Sequence, residues 1–434
     1  MKSTEFLRRR RQLMHMLGDD AIAILPTSLE QIRNRDVLQP FRPDSDFYYL
    51  TGFPEPEAVA VLMPGRRHAQ YILFCREKDP ARELWDGRRA GLEGAVETYG
   101  ADDAFPYSDL DDIMPGLLEQ RERVFYAMGC NSDFDQRVSG WVNQVRARSR
   151  AGVHAPTEFI ALDHYLHDMR LYKSRSEVAT MRRAAKLSAA AHKELMRTTR
   201  PGDMEYQLAA RFSHHCQMHG ARELAYPSIV GGGNNGCVLH YVENSDELQD
   251  GELVLIDAGC ELECYASDIT RTFPVSGRFS EPQRALYQLV LDAQLAAIDK
   301  VRQGNHWNDP HDAAVRVLTR GLLRLGLLKG TLAKALKNES YKKFYMHRTG
   351  HWLGMDVHDV GDYKIDGHWR QLEPGMILTV EPGLYIPRGM RGVAKKWQGI
   401  GIRIEDDVLV TKSEPDVLTR DVPKSVDDIE ALMA

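Results

Sequence analysis

The chain has no basic surplus, no long apolar run and little cysteine. Its 434 residues hold 56 lysines and arginines against 62 acids, a net charge of −6, whereas a nucleic-acid binder carries a basic excess. No apolar stretch approaches the 18 or so residues that cross a bilayer, and the N-terminal MKSTEFLRRRRQLMHML lacks the continuous apolar core of a secretory signal. No nucleic acid and no membrane are therefore expected as partners. The arginines of that segment are expected on the solvent face of a first amphipathic helix. The six cysteines include no C-x-x-C pair, so free thiols in a reducing cytoplasm are expected rather than disulfide staples or a thiolate zinc site. Cys260 and Cys264 are read as ordinary small residues. Gly231-Gly232-Gly233 lacks the Gly-Lys-Ser/Thr ending of a phosphate loop and reads as a tight turn near a cleft.

What is present is the balance of a globular protein, 43% apolar and 27% charged, at a length suited to two domains or three. The first 170 or so residues alternate short apolar runs with helix-like stretches. AIAIL (21–25), VAVLM (59–63), YILF (71–74) and RVFYAM (123–128) predict buried strands. LEQIRNRDVLQPF (29–41) and SDFDQRVSGWVNQVRARSR (132–150) predict helices. Alternation of this kind predicts an α/β domain over 1–171. The pattern then changes. Ser174-x-x-Glu177 is a capping box before a long alanine-rich amphipathic helix, and a second domain is expected over 172–434.

A weak duplication runs through that second domain. Ser176-Glu177 and Ser280-Glu281 each open a long helix that stops at a glycine, Gly202 and Gly304, and each helix is followed by another helical stretch. Further on, GELVLIDAG (251–259) and GMILTVEPG (375–383) share the pattern Gly, five residues, an acid, one residue, Gly. A duplicated unit of two helices and a hairpin accounts for both pairs. Each hairpin ends its apolar run on a carboxylate. Asp257 would face Asp268 across the first, and Glu381 would face Glu405 across the second. One acid at a strand end is ordinary. Four at matching places in two repeats require partners or a metal, because buried carboxylates are paired or coordinated.

Between those hairpin strands lies HRTGHWLGMDVHD (347–359), with three histidines. His347 and His351 have the spacing of one helix face, but Gly350 and Gly354 argue for a loop or irregular strand, with one imidazole reaching the acids. Four carboxylates and an imidazole suit two divalent ions of the manganese, cobalt or iron kind. Two such ions activate water and clamp an oxyanion. The expected chemistry is hydrolysis. Arg403 and Glu405, two apart in a strand, would point to the same face.

With Asp257, Asp268 in SDITRTFPV, Glu381 in TVEPGLY, Glu405 in IRIEDDVLV and the histidine run, the C-terminal domain resembles the pita-bread metallopeptidases. The run is similar to the proline-peptidase signature throughout. FRPDSDFYYLTGFPEPEAV (41–59) resembles the corresponding stretch of the aminopeptidase P group, the Xaa-Pro aminopeptidases. Prolidase, an Xaa-Pro dipeptidase, is the alternative, and an inactive binding module of the same fold is a third. The resemblance implies an N-terminal α/β domain for oligomer contacts and substrate access, then a pita-bread catalytic domain with an internal pseudo-twofold duplication. It implies a homodimer or homotetramer acting on peptides with proline second.

It also implies roles. Asp257, Asp268, His351, Glu381 and Glu405 would hold two divalent metal ions, manganese before others, with Glu381 also handling the proton of the attacking water. His358 would hold the scissile carbonyl or its oxyanion, and His240 would lie near the leaving portion. His347, Tyr363 and Arg403 would shape the proline pocket, and Trp85 would be lent by a neighbouring subunit. Tyr226 and Asp36 would support the ligands from behind. Apart from the resemblance, the arginines of VRARSR (145–150) read as a solvated helix face, with Arg150 the exception expected to meet a neighbouring subunit. The loop KIDGHWRQ (364–371) departs from the group's usual form, which leaves contacts with longer substrates open there.

Such a specialised enzyme has a physical reason. A bond before proline lacks an N–H and has its φ fixed near −65°, so sites that bind substrate as an added strand handle it poorly.

Overall fold

The apolar runs of the first half become strands of one sheet. In the computed structural model, which describes residues 1–434, the chain divides into two compact units, Met1–Met169 and Arg170–Ala434. The N-terminal unit contains β1 (Ala21–Pro26), β2 (Ile32–Asn34), β3 (Val37–Leu38), β4 (Val59–Leu62), β5 (Tyr71–Cys75), β6 (Asp103–Pro106), β7 (Arg123–Phe125) and β8 (Glu158–Ile160). Six of them form a mixed sheet in the order β6-β5-β4-β1-β7-β8. Ile22, Ile24, Val59, Val61, Ile72 and Phe74 pack there against the helices Leu110–Leu118 and Ser132–Ala147. The latter helix buries Phe134, Val138, Trp141, Val142 and Val145 on one face, and Asn131 caps it by accepting from the Phe134 N–H.

One expectation for this unit fails and another holds in part, since Arg8 and Arg11 of the first helix are exposed. Residues 29–41 are not a helix: β2 and β3 form a small hairpin that turns at Arg35 with φ 46°. Leu29, Ile32, Val37 and Leu38 are all exposed, so no core face exists to stabilise a helix, and helices in proteins draw most of their stability from such packing. The first helix, Ser3–Leu17, does form, but Arg9 and Arg10 are buried. Arg9 donates to the Tyr49 carbonyl (2.9 Å) and Arg10 to that of Leu50 (2.8 Å). Their guanidinium groups lie 4.0 Å and 4.1 Å from the ring centroids of Tyr49 and Tyr71. A planar, weakly hydrated guanidinium tolerates such a place.

The C-terminal unit contains β9 (Glu223–Leu224), β10 (Ile229–Gly232), β11 (Leu253–Asp257), β12 (Cys260–Leu262), β13 (Tyr265–Ala266) and β14 (Thr270–Pro274) in its first half. Its second half contains β15 (Lys364–Ile365), β16 (His368–Trp369), β17 (Ile377–Val380), β18 (Gly383–Ile386), β19 (Ile400–Arg403), β20 (Asp406–Leu409) and β21 (Asp416–Val417). The duplication is visible in the pairing. β10, β11 and β14 form an antiparallel sheet with Asp257 opposite Thr270. Residues 351–353 run antiparallel to β17, which pairs with β20, Val380 opposite Asp406. The helix pair Arg175–Thr198 and Glu205–Met218 belongs to the first half, Glu281–Ile298 and Asp309–Arg324 to the second. The Ser174–Glu177 capping box is formed.

The two halves are joined by hydrogen bonds across their ends. Glu405 N–H donates to the Thr270 carbonyl (3.1 Å), and Thr272 Oγ1 donates to the Arg403 carbonyl (3.0 Å). Arg271 and Asp406, both fully buried, close the joint with an ion pair of 2.7 Å. A Cβ on Gly401 would sit 2.1 Å from the Gly236 carbonyl oxygen, so the short helical turn after the triple glycine lies directly on β19. No helix is long and apolar enough to cross a membrane.

Candidate active site

β11 carries four buried apolar residues and delivers Asp257 at its end. The carboxylate is met from two sides. Arg403 Nη2 donates to Oδ2 at 2.7 Å, and the Tyr226 hydroxyl lies 2.7 Å from Oδ1. The same hydroxyl is 2.5 Å from Asp268 Oδ1, so one phenolic proton is shared by two carboxylates. Burial and the charges of Asp257 and Asp268 push the Tyr226 phenol well up, which keeps it a donor.

The histidine stretch is an irregular strand, as its glycines suggested. Thr379 N–H donates to the His351 carbonyl and Glu381 N–H to that of Thr349, at 2.9 and 2.8 Å. The backbone thus sets His351 beside Glu381. His351 Nδ1 donates to the Trp352 carbonyl at 2.9 Å, which leaves Nε2 free to act as a ligand. That atom is 3.5 Å from Asp268 Oδ2 and 3.8 Å from Glu381 Oε1. Glu405 is buried, and Thr270 Oγ1 donates to its Oε2 at 2.7 Å. Ligand atoms of Asp268, His351 and Glu405 lie within 4.8 Å of one another.

The electrostatics favour a cation. Of Asp257, Asp268, Glu381 and Glu405, only Asp257 is bonded to a guanidinium, that of Arg403. Burial, with the charges of Asp268 and Asp257, raises Glu381 to about 7. Burial and the neighbouring acids Asp268 and Glu381 likewise hold Glu405 well above the carboxylate range. Although burial would lower it, His351 is held at about 9 by Asp268 and Glu381. A field that draws a proton onto an imidazole also draws a metal ion, and four carboxylates and an imidazole nitrogen are hard to borderline donors. The residues present fit a metal centre.

Around the acids is a cavity of about 660 Å³. Its wall includes all five candidate ligands and Tyr226, and also His240, His347, His358 and Arg403. His347 Nδ1 donates to the Arg348 carbonyl (2.7 Å) and Nε2 accepts from the Tyr385 hydroxyl (2.9 Å). Burial and Arg403 lower it to about 3, so its ring is neutral. Burial and His351 also lower His358, leaving a neutral ring 4.3 Å from that of His351.

One sequence candidate of this unit lies outside that wall. Tyr363 stacks on Trp352 (5.6 Å between centroids, 4° between planes) and accepts from the Trp352 N–H; it is not in the wall. Trp85 is 84% exposed on the helix Pro80–Asp86 of the N-terminal unit, and Asp36 is exposed in the turn between β2 and β3. Residues 364–369 form the β15–β16 hairpin, where Lys364 sits 4.3 Å from the Trp369 ring centroid.

Other residues at the site carried no sequence signal of their own. Thr270 links Arg403 Nε (3.1 Å) to Glu405, and Tyr385 links His347 to Arg403 Nη1 (3.1 Å). Asp407, buried, accepts from the Asp268 N–H at 3.2 Å. The only hint was the run Glu405-Asp406-Asp407 inside an apolar strand, which places three acids where a core is expected.

Comparison with known proteins agrees with this geometry. Residues 179–412 match the model of metallopeptidase family M24, and residues 6–126 match the aminopeptidase P N-terminal domain. The Xaa-Pro aminopeptidase of Escherichia coli is 43% identical over 99% of this chain and 97% of that protein. The aminopeptidase PepP of Pseudomonas aeruginosa is 59% identical and superposes with a TM-score of 0.99, covering 100% of this chain and 98% of that one. Zinc-substituted E. coli aminopeptidase P in complex with product is 43% identical and superposes at 0.97, covering 100% and 98%. The chain belongs to metallopeptidase family M24. Within that family it falls among the aminopeptidase P members, and its C-terminal unit has their pita-bread fold.

Proposed function

We propose that this chain is a dinuclear-metal aminopeptidase that hydrolyses the bond between an N-terminal residue and a following proline. One observation carries the reading: four carboxylates and the free Nε2 of His351 converge on one cavity in a chain that is like Xaa-Pro aminopeptidases along its whole length. Asp257, Asp268, His351, Glu381 and Glu405 would hold two divalent ions, manganese first. Bound there, the ions supply an activated water at neutral pH and polarise the scissile carbonyl.

The chain's own residues do the rest. Glu381, with no hydrogen bond to its carboxylate and raised to about 7, takes and returns the proton of the attacking water. His358, a neutral donor on the cavity wall, stabilises the oxyanion. His240 faces the leaving portion, and His347 and Arg403, fixed on either side of Tyr385, border the proline ring. Tyr363 supports that border through Trp352. Tyr226 orients Asp257 and Asp268 from behind.

The domain 1–171 provides oligomer contacts and substrate access, and 172–434 the catalysis. The exposed Trp85 serves a neighbouring subunit's site in a homodimer or homotetramer. Six cysteines without a C-x-x-C pair suit the cytoplasm.

A direct test compares an Xaa-Pro dipeptide with Arg-Pro-Pro, manganese supplied. Release of arginine from the tripeptide is expected. Cleavage of the dipeptide alone would make the enzyme a prolidase, and cleavage of neither would remove the reading.

A further inference from the structure

His358 makes no hydrogen bond through its ring; its one ring contact is His351. Its place is therefore set by the backbone on which it stands. That backbone is the loop 352–359, closed by Asp359 N–H donating to the Trp352 carbonyl (2.9 Å) and Gly354 N–H to that of Asp356 (3.1 Å). Val357 and His358 lie at its crest on the cavity wall.

Behind the crest, two acids of the loop meet two cations from residues 170–173. Asp359 Oδ1 accepts from Arg170 Nη2 at 2.6 Å, and Oδ2 accepts from Lys173 Nζ at 2.8 Å. The side chains of Lys173 and Asp359 are 1% exposed and that of Arg170 3%. Arg170 also reaches Asp356 Oδ2 at 2.7 Å. The fit is close: a Cβ on Gly354 would lie 2.1 Å from Asp359 Oδ2 and 2.9 Å from Lys173 Cε. Lys173 is itself fixed by its N–H to the Gly375 carbonyl (2.9 Å), at the entry of the run that ends in Glu381.

We propose that Arg170, Lys173 and Asp359 form a buried clamp that positions His358 over the reacting carbonyl. They touch neither substrate nor the candidate ligands, so they are positioning residues. The clamp rests on the function proposed above, because it acts through His358. It joins the loop crest and the approach to Glu381 to the same lysine, so the oxyanion donor and the proton carrier are held to one anchor. A flat surface ion pair would not serve, since exposed pairs are screened and hold little. Buried ions with several hydrogen bonds fix geometry because breaking them is costly.

The test is a double-mutant cycle of Lys173→Met with His358→Ala, read as kcat and KM on a proline tripeptide in the manganese-loaded enzyme. Displacing the crest should lower kcat about 10–100-fold and leave KM within about twofold. In the His358→Ala background Lys173→Met should add less than about twofold, because the group it positions is gone. Equal losses in both backgrounds, or an unchanged kcat in the single variant, would overturn the clamp. If Lys173→Met does not fold, the isosteric Asp359→Asn, at the other end of the same buried pair, replaces it, and the same non-additivity is required. A wild-type enzyme that cleaves no proline peptide would instead defeat the function on which the clamp rests, so the two failures are distinct.

Discussion

β11 and β17 each carry a buried apolar strand into a carboxylate, Asp257 in one and Glu381 in the other, yet the two acids meet different neighbours. Asp257 accepts from a guanidinium and a phenol at 2.7 Å. The side chains paired with Glu381 are imidazoles, His347 and His351 at 3.8 Å, and burial and the other acids raise it to about 7. The duplicated backbone therefore decides where a carboxylate stands, and the partners decide its protonation. At Asp257 the donors oppose the rise that burial gives the acid. Glu381 lacks such donors and exchanges protons near neutrality.

The largest effects should come from removing the acids themselves. Asp268→Ala or Glu381→Ala should abolish hydrolysis, by more than about 10³-fold, while circular dichroism stays native; a chelator should do the same to the wild type. Activity retained by either variant with manganese present would erase the distinction between the halves. The joint between them comes next. Asp406→Asn leaves the buried Arg271 without its carboxylate, and loss of about 3–5 kcal/mol is expected by urea unfolding. Since Arg271 and Lys424 hold Asp406 far below the usual carboxylate range despite burial, its stabilisation is present at neutral pH and fades as strong acid protonates it.

A smaller effect probes the first half alone. His192 is fully buried, its Nε2 donating to the Ala258 carbonyl beside Asp257 (2.9 Å), and burial lowers it to about 4. The unfolded chain takes up that proton near pH 6.5, so the neutral native ring loses ground as pH falls. Stability from this group is complete above about pH 6.5 and declines toward pH 4, by about 3 kcal/mol. His192→Gln should flatten the pH dependence of unfolding across that window; an unchanged slope would mean the ring is protonated when folded. The mildest change concerns the second half. His358→Ala should lower kcat about 10²-fold with KM little altered, and an effect confined to KM would contradict an oxyanion donor.

Much of this was legible in the chain. The strands at 21–26, 59–62 and 71–75 follow from short β-branched runs, and the repeated Gly–acid–Gly spacing marked both hairpins. Residues 29–41 misled because their apolar residues are spaced like a helix yet stay exposed. The arginines of the first helix misled in the other direction, since charge implied solvent and aromatic rings received two of them. Tyr385 and Thr270 were silent because a phenol or hydroxyl is informative only once its neighbours are known.

Local order, repeat spacing and the identity of the ligand atoms were written in the residues, because strand period and side-chain chemistry are properties of short stretches. Which phenol shares its proton between two aspartates, and which buried lysine anchors a loop 186 residues further along, depended on long-range packing. Those contacts join points distant in sequence, and only the folded core brings their charges close enough to act.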